Sequence, residues 1–116
     1  MDYSSAHQLA RDVRGSEEFQ TYHLLKESVM GDETTAALIR EYRRLQIQLQ
    51  MSMVGGQASS QEDQQRFSAL TTLLFSKQEV SQYLLAEMRL QQALADIFRI
   101  VTEAADVEMS FPGMDG

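Results

Sequence analysis

The side chains that could do chemistry in this chain are few and scattered. Its two histidines, His7 and His23, stand in no His-Glu-x-x-His or Glu-x-x-His pattern. A carboxylate-bridged pair of metal ions in a helical bundle needs two inward-facing Glu-x-x-His repeats, so that chemistry is not encoded. His23 has Glu27 one helical turn on, and the two could hold a metal only with ligands from another helix. A surface imidazole beside an acidic neighbour accounts for the pair without one. Gly55-Gly56 lacks both the Lys-Ser/Thr of a P-loop and the third glycine of a dinucleotide fingerprint, and reads as a helix terminator. No serine sits in Gly-x-Ser-x-Gly or beside a histidine base. The acidic pairs Glu17-Glu18 and Glu62-Asp63 fall at helix starts, where the helix dipole favours them. No catalytic residue, metal or cofactor is expected, and the chain reads as a non-enzyme. A metal-dependent hydrolase built on His7 and His23 is the third reading.

One basic cluster stands out: Arg40, Arg43 and Arg44, with Glu41 among them. On a helix these fall at i, i+3 and i+4 and could line up against phosphates, which makes RNA binding the alternative function. The same spacing suits a solvated face whose long stems cover apolar neighbours. Ten Lys and Arg against 17 Asp and Glu leave a net charge of −7, which repels polyanions and anionic membranes. The methionines divide in two. Met53 and Met88 lie on apolar stripes and are expected in the core. Met51, Met109 and Met114 lie off them and suit an adaptable partner-binding surface.

The elements that must position these residues are helices. Of 116 residues, 43% are hydrophobic, one is Pro and six are Gly, with no Cys and no Trp. That composition predicts an all-α protein without disulfides or thiolate metal sites, compatible with a cytoplasmic location. The longest apolar runs are four residues, Ala36–Ile39 and Tyr83–Ala86, too short for a transmembrane helix or a signal-peptide core.

Five helices are expected, two of them long, at about 32–54 and 76–106. The first carries Tyr3, Ala6, Leu9, Ala10 and Val13 and ends at Gly15 as a left-handed cap. Ser16 caps the second, which buries Phe19, Tyr22, Leu25 (or Leu24) and Val29 and ends at Gly31. Asp32 caps the third, with Leu38, Tyr42, Leu45, Leu49 and Met53 in one row. Ser59 with Glu62 suggests a capping box for the fourth, whose buried side is Phe67, Leu70, Leu73 and Leu74.

Ser76 with Glu79 suggests another capping box, and so a break before the last helix; an unbroken helix through Ser76 competes with it. Beyond it Tyr83, Leu90, Leu94, Ile97, Val101 and Ala104 form a stripe, widened by Leu84, Met88, Phe98 and Ala105. Residues 1–106 read as a single helical domain and 107–116 as a flexible tail.

The stripes on the two long helices exceed what five helices cover comfortably, which predicts self-association as a dimer or tetramer. The expected interface is Tyr83, Leu84, Glu87, Leu90 and Leu94, with Tyr42, Leu45 and Leu49 opposing them. Glu87, a charge within an apolar face, suits either a partner arginine or an exposed flank.

The order of these features resembles the YlbF/YmcA family of small helical bacterial proteins. The resemblance is carried by the opening short helix with its Gly15-Ser16 break and Tyr22, and by Asp32-Glu33 leading into Leu38-Ile39-x-x-Tyr42-x-x-Leu45-Gln46 and a Gln-rich helix end. It is carried also by Val80-x-x-Tyr83-x-x-Ala86-Glu87-x-x-Leu90. It covers residues 3 to 104.

The resemblance implies a self-associating helical protein without known catalytic activity that works through partners. In Bacillus-type bacteria members join paralogues in a complex that assists ribonuclease Y in mRNA processing, affecting competence, biofilm formation and sporulation. Members often have Asn-Pro where this chain has Ser76-Lys77. The cysteine-bound iron–sulfur clusters of the Bacillus complex do not carry over to a chain without cysteine. A cytoplasmic adaptor or regulator acting by protein–protein contact is the resulting expectation.

Overall fold

Four of the five helices start where a short polar side chain takes up a free amide. Asp2 accepts from the Ser4 amide at 2.9 Å and from its hydroxyl at 2.6 Å, opening α1 (Ser4–Arg14). Ser16 accepts from the Phe19 amide at 3.2 Å and opens α2 (Glu17–Met30). Asp32 accepts from the Thr35 amide at 3.3 Å and its hydroxyl at 2.5 Å, opening α3 (Glu33–Val54). Ser60 accepts from the Asp63 amide at 3.0 Å and opens α4 (Gln61–Phe75), and α5 runs Gln78–Ala105. Each such cap satisfies a donor that the helix itself leaves unpaired. The structure, a computed structural model, describes residues 1–56 and 60–107. Among these residues there is no strand, so the architecture is the expected all-α one of five helices.

Several local expectations are corrected. Gly15 closes α1 in a right-handed conformation with φ −87°, because its amide still reaches the Arg11 carbonyl and the chain turns directly into α2. Ser59 lies outside the described residues, and the cap of α4 is Ser60. No capping box forms at Ser76. That residue ends α4, its hydroxyl donating to the Leu73 carbonyl at 2.6 Å, while the carboxylate of Glu79 is taken by the Ser28 hydroxyl.

The helix break itself is real. Ser81 reaches back from α5 to the Phe75 carbonyl at 3.1 Å, so hydroxyls from both sides satisfy the acceptors that the end of α4 exposes. At the α2–α3 junction a Cβ on Gly31 would lie 2.7 Å from the Glu27 carbonyl oxygen, a contact no side chain tolerates.

The helices form two compact units, with α2 and α5 contributing to both. In residues 23–84, α3 packs on α4. Glu41 meets Arg66, Tyr42 stacks on Phe67 at 5.1 Å and Gln48 meets Asp63, a register in which the two helices run antiparallel. Val29, Ala36, Ile39, Leu45, Leu70, Leu74, Val80, Tyr83 and Leu84 are buried here. Of the α2 alternatives, Leu25 is half-buried and Leu24 exposed.

Leu73 is exposed rather than buried, and two methionines expected in the core are not there. Met53 is 82% exposed and Met88 64% exposed, since each sits where its helix faces solvent. The other unit combines residues 1–22 with those from 85 onward. Among its described residues only Ala86 is fully buried, and Val13, Phe19, Tyr22, Leu90 and Ile97 are half-buried.

Leu74→Ala is expected to lower the unfolding free energy by about 2–5 kcal/mol in urea denaturation, by lost transfer energy and a residual cavity. Leu24→Ala should change it by less than about 0.5 kcal/mol. The Thr35 hydroxyl and amide, with a smaller pull from Lys77, hold the Asp32 carboxyl below its ordinary value near 3.8. The cap therefore stabilises fully above that value and less as pH falls through the lowered one. The stability gap between the parent and Asp32→Ala should accordingly hold from about pH 7 to about pH 5 and shrink in stronger acid. A gap that widened in acid would contradict the cap.

Candidate functional site

Within residues 23–84 the expected interface residues are placed inward more than outward. Leu45, Tyr83 and Leu84 are buried in the unit's own core. Leu49 is half-buried, as is Tyr42, which is stacked on Phe67 and meets Phe75 edge-on at 6.3 Å. The phenol of Tyr83, at the bottom of this core, accepts a hydrogen bond from Arg43 Nη2 at 3.2 Å. A buried tyrosine needs such a partner for its polar end, and the guanidinium supplies it from half-buried depth.

That bond splits the basic cluster. Arg43 turns toward Tyr83, while Arg40 and Arg44 stay exposed, with Arg44 Nη1 donating to Gln48 Oε1 at 3.3 Å. Glu41 between them is engaged across the helix pair by Arg66, through Nε at 2.8 Å and Nη2 at 2.9 Å. The guanidinium holds the Glu41 carboxyl below its ordinary value. The paired geometry orients α3 on α4, although a pair this exposed adds little stability.

The outer face of α3 carries apolar residues that the sequence reading did not assemble into a surface. Ile47, Met51 and Val54 are all exposed there, and Met51 alone was expected to be. The signal was available: Arg40, Arg44, Ile47, Met51 and Val54 recur at 4, 3, 4 and 3 residues. It was overshadowed by the parallel row through Leu38, Tyr42, Leu45 and Leu49, which does face inward.

In the unit of residues 1–22 and 85 onward, Leu90 and Leu94 are brought together with Leu9, Val13, Ala93 and Ile97 around an open groove of about 220 Å³. Its polar rim includes Asp12, Ser16 and Glu18. Leu94 is 43% exposed and Glu87 is half-buried. A second hollow of about 250 Å³ is lined by Glu17, Glu18, Thr21, Ala86 and Arg89. The α1–α2 corner is rigidified by the Gln20 amide on the Arg14 carbonyl at 2.8 Å and by Arg14 over the Phe19 ring at 5.7 Å.

The histidines take ordinary places. His7 is exposed on α1, and His23 Nε2 lies 3.0 Å from Glu27 with both side chains well exposed. Among the described residues no group of three or more His, Asp or Glu side chains could hold a metal ion. None of the helices in that set is long and apolar enough to cross a membrane.

The chain matches a known family model over residues 3–105, described as control of competence regulator ComK, YlbF/YmcA. The chain belongs to the YlbF/YmcA family. A UPF0342 protein of Symbiobacterium thermophilum is 30% identical over 109 residues, covering 94% of this chain and 97% of the relative. A UPF0342 protein of Halothermothrix orenii is 31% identical over 99 residues, 85% and 84% of the two chains. The UPF0342 protein YheA of Bacillus subtilis is 27% identical over 85% of each. A solved structure described as a protein of unknown function (DUF964) from Bacillus stearothermophilus matches with a TM-score of 0.71, covering 90% of this chain and 91% of that one. At 21% identity that likeness is one of fold. This YlbF/YmcA member thus sits in a family named for competence control and not for an enzyme class.

A double-mutant cycle of Tyr83→Phe with Arg43→Ala is expected to give a coupling of about 1.5 kcal/mol in urea denaturation, the low end for a hydrogen bond to a charged group because Arg43 is half-buried. Strict additivity would mean that the contact contributes nothing to the fold.

Proposed function

We propose that this YlbF/YmcA member is a non-enzymatic regulatory adaptor of the cytoplasm, working by protein–protein contact. Its first partner is a second copy of itself, in a dimer or tetramer. Paralogous family members and a ribonuclease complex are the further partners this reading admits. One observation carries it: among the described residues of the unit made by residues 1–22 and 85 onward, only Ala86 is fully buried. Leu9, Val13, Leu90, Leu94 and Ile97 surround an open apolar groove there, and Ile100 and Val101 are exposed further along α5. Apolar surface gains roughly 25 cal/mol per Å² when water is removed, so a second chain that closed this groove would be stabilised by the contact. The face is apolar at its centre and carboxylate-bearing at its rim, the anatomy of a protein interface.

The RNA alternative is weakened by the diversion of Arg43 to Tyr83, which leaves two of the three arginines facing outward.

Native mass by light scattering over a concentration series tests the reading. A dimer or tetramer is expected, with Leu94→Asp shifting the mass to that of a monomer while the circular dichroism of the helices is kept, because Leu94 is already half in water. A parent protein that stays monomeric, or a folded Leu94→Asp protein as oligomeric as the parent, would sink the interface.

A further inference from the structure

α3 carries a row of side chains that the inner contacts of its unit leave open to solvent. Arg40, Arg44, Ile47, Met51 and Val54 follow one another at 4, 3, 4 and 3 residues, the alternation with which one helix presents a seam to another. Ile47 is 57%, Met51 69% and Val54 90% exposed, and both arginines are exposed as well. An open groove of about 490 Å³ runs along this face, lined by Arg44, Ile47, Gln48, Met51 and Ser52. The row is therefore apolar in its last two turns and cationic in the two before them.

The charges say what can cover it. In a chain of net charge −7, this row contains two arginines and no carboxylate. The carboxylate between them in sequence, Glu41, is committed to Arg66 on α4. The hydrogen bond from Arg44 to Gln48 points its guanidinium along the row toward the apolar end.

A second copy does not satisfy the row by pairing it with itself. Side by side in parallel, arginine would face arginine; antiparallel about Ile47, each Arg40 would lie against Val54. Either arrangement leaves four cations, two from each copy, without an anion in a contact that excludes water, which is costly. A helix with carboxylates opposite the arginines and aliphatic side chains opposite Ile47, Met51 and Val54 satisfies both halves.

We infer that the Arg40–Val54 row of α3 is a docking seam for one amphipathic helix of a partner protein, acidic over Arg40 and Arg44 and aliphatic over Ile47, Met51 and Val54. The inference rests on protein contact as the mode of action proposed above. It uses residues that self-association through Leu90 and Leu94 does not need.

The test uses the full chain and fluorescein-labelled three-heptad helical peptides, each with Leu at 4/3 spacing in one half and Glu in the other. One peptide has its Glu half at the N-terminus and one at the C-terminus, so that both helix directions are covered, and each has a twin with Lys for Glu. By fluorescence anisotropy, one acidic peptide should bind at least ten-fold more tightly than its Lys twin. Arg40→Glu with Arg44→Glu should weaken it ten-fold or more, and so should Met51→Asp; Leu94→Asp should leave it unchanged. Met51 is exposed, so its variant keeps the fold, which circular dichroism checks.

The inference is overturned if neither acidic peptide is preferred to its Lys twin, or if reversing both arginines changes nothing. It is overturned equally if Met51→Asp lowers the native mass, which would assign the row to a second copy, or if a single-stranded RNA oligonucleotide competes the peptide off through the same arginines. Loss of peptide preference with an intact Leu94-dependent oligomer would remove the seam and leave the adaptor reading standing.

Discussion

The packing of α3 against α4 is the interaction on which the rest of residues 23–84 depends. Neither helix has much reason to persist alone, since isolated helices of this length are marginal in water and draw their stability from burying a face. Ile39 and Leu45 on α3, with Leu70 and Leu74 on α4, have almost no accessible surface left. The contacts at the edges of this pair are of another kind. The stacked rings of Tyr42 and Phe67, the fork between Arg66 and Glu41 and the amide of Gln48 on Asp63 are directional, and they select one antiparallel register among those that aliphatic burial would tolerate.

A second constraint follows from the first. Once α4 is fixed, the chain must turn before α5 so that Val80, Tyr83 and Leu84 can enter the same core. The turn at Ser76-Lys77 manages this with hydroxyls: Ser76 and Ser81 satisfy carbonyls at the end of α4, and Ser28 ties down Glu79. Tyr83 then arrives with its phenol within reach of Arg43, so a residue that composition alone would assign to a solvated basic face becomes part of the core's polar boundary.

The unit formed by residues 1–22 and 85 onward obeys the same physics with a different result. Its helices are amphipathic, yet among its described residues their stripes stop at half-burial everywhere except Ala86. Apolar surface that a chain does not cover itself is where association gains most. The outer row of α3 is such a surface too, distinguished by its two arginines.

The sequence by itself determined the five helices, their caps at Ser16 and Asp32, the break after α4 and the membership of Leu70 and Leu74 in the core, whereas Leu45 and Tyr83 read as interface and the tertiary structure buries them. Those features are local or periodic: a cap depends on three neighbouring residues, and a stripe on spacing within one helix. The tertiary structure decided what periodicity leaves open. Met53 and Met88 continue apolar rows in sequence, yet the fold leaves both side chains largely in water. Glu79 has the right spacing for a capping box, but a distant hydroxyl competes for its carboxylate. Arg40, Arg43 and Arg44 are equivalent in pattern, and only the position of Tyr83, forty residues away from Arg43 in the chain, separates the one turned inward from the two that face solvent. Spacing specifies which residues share a face of a helix; what meets that face is specified by the other helices.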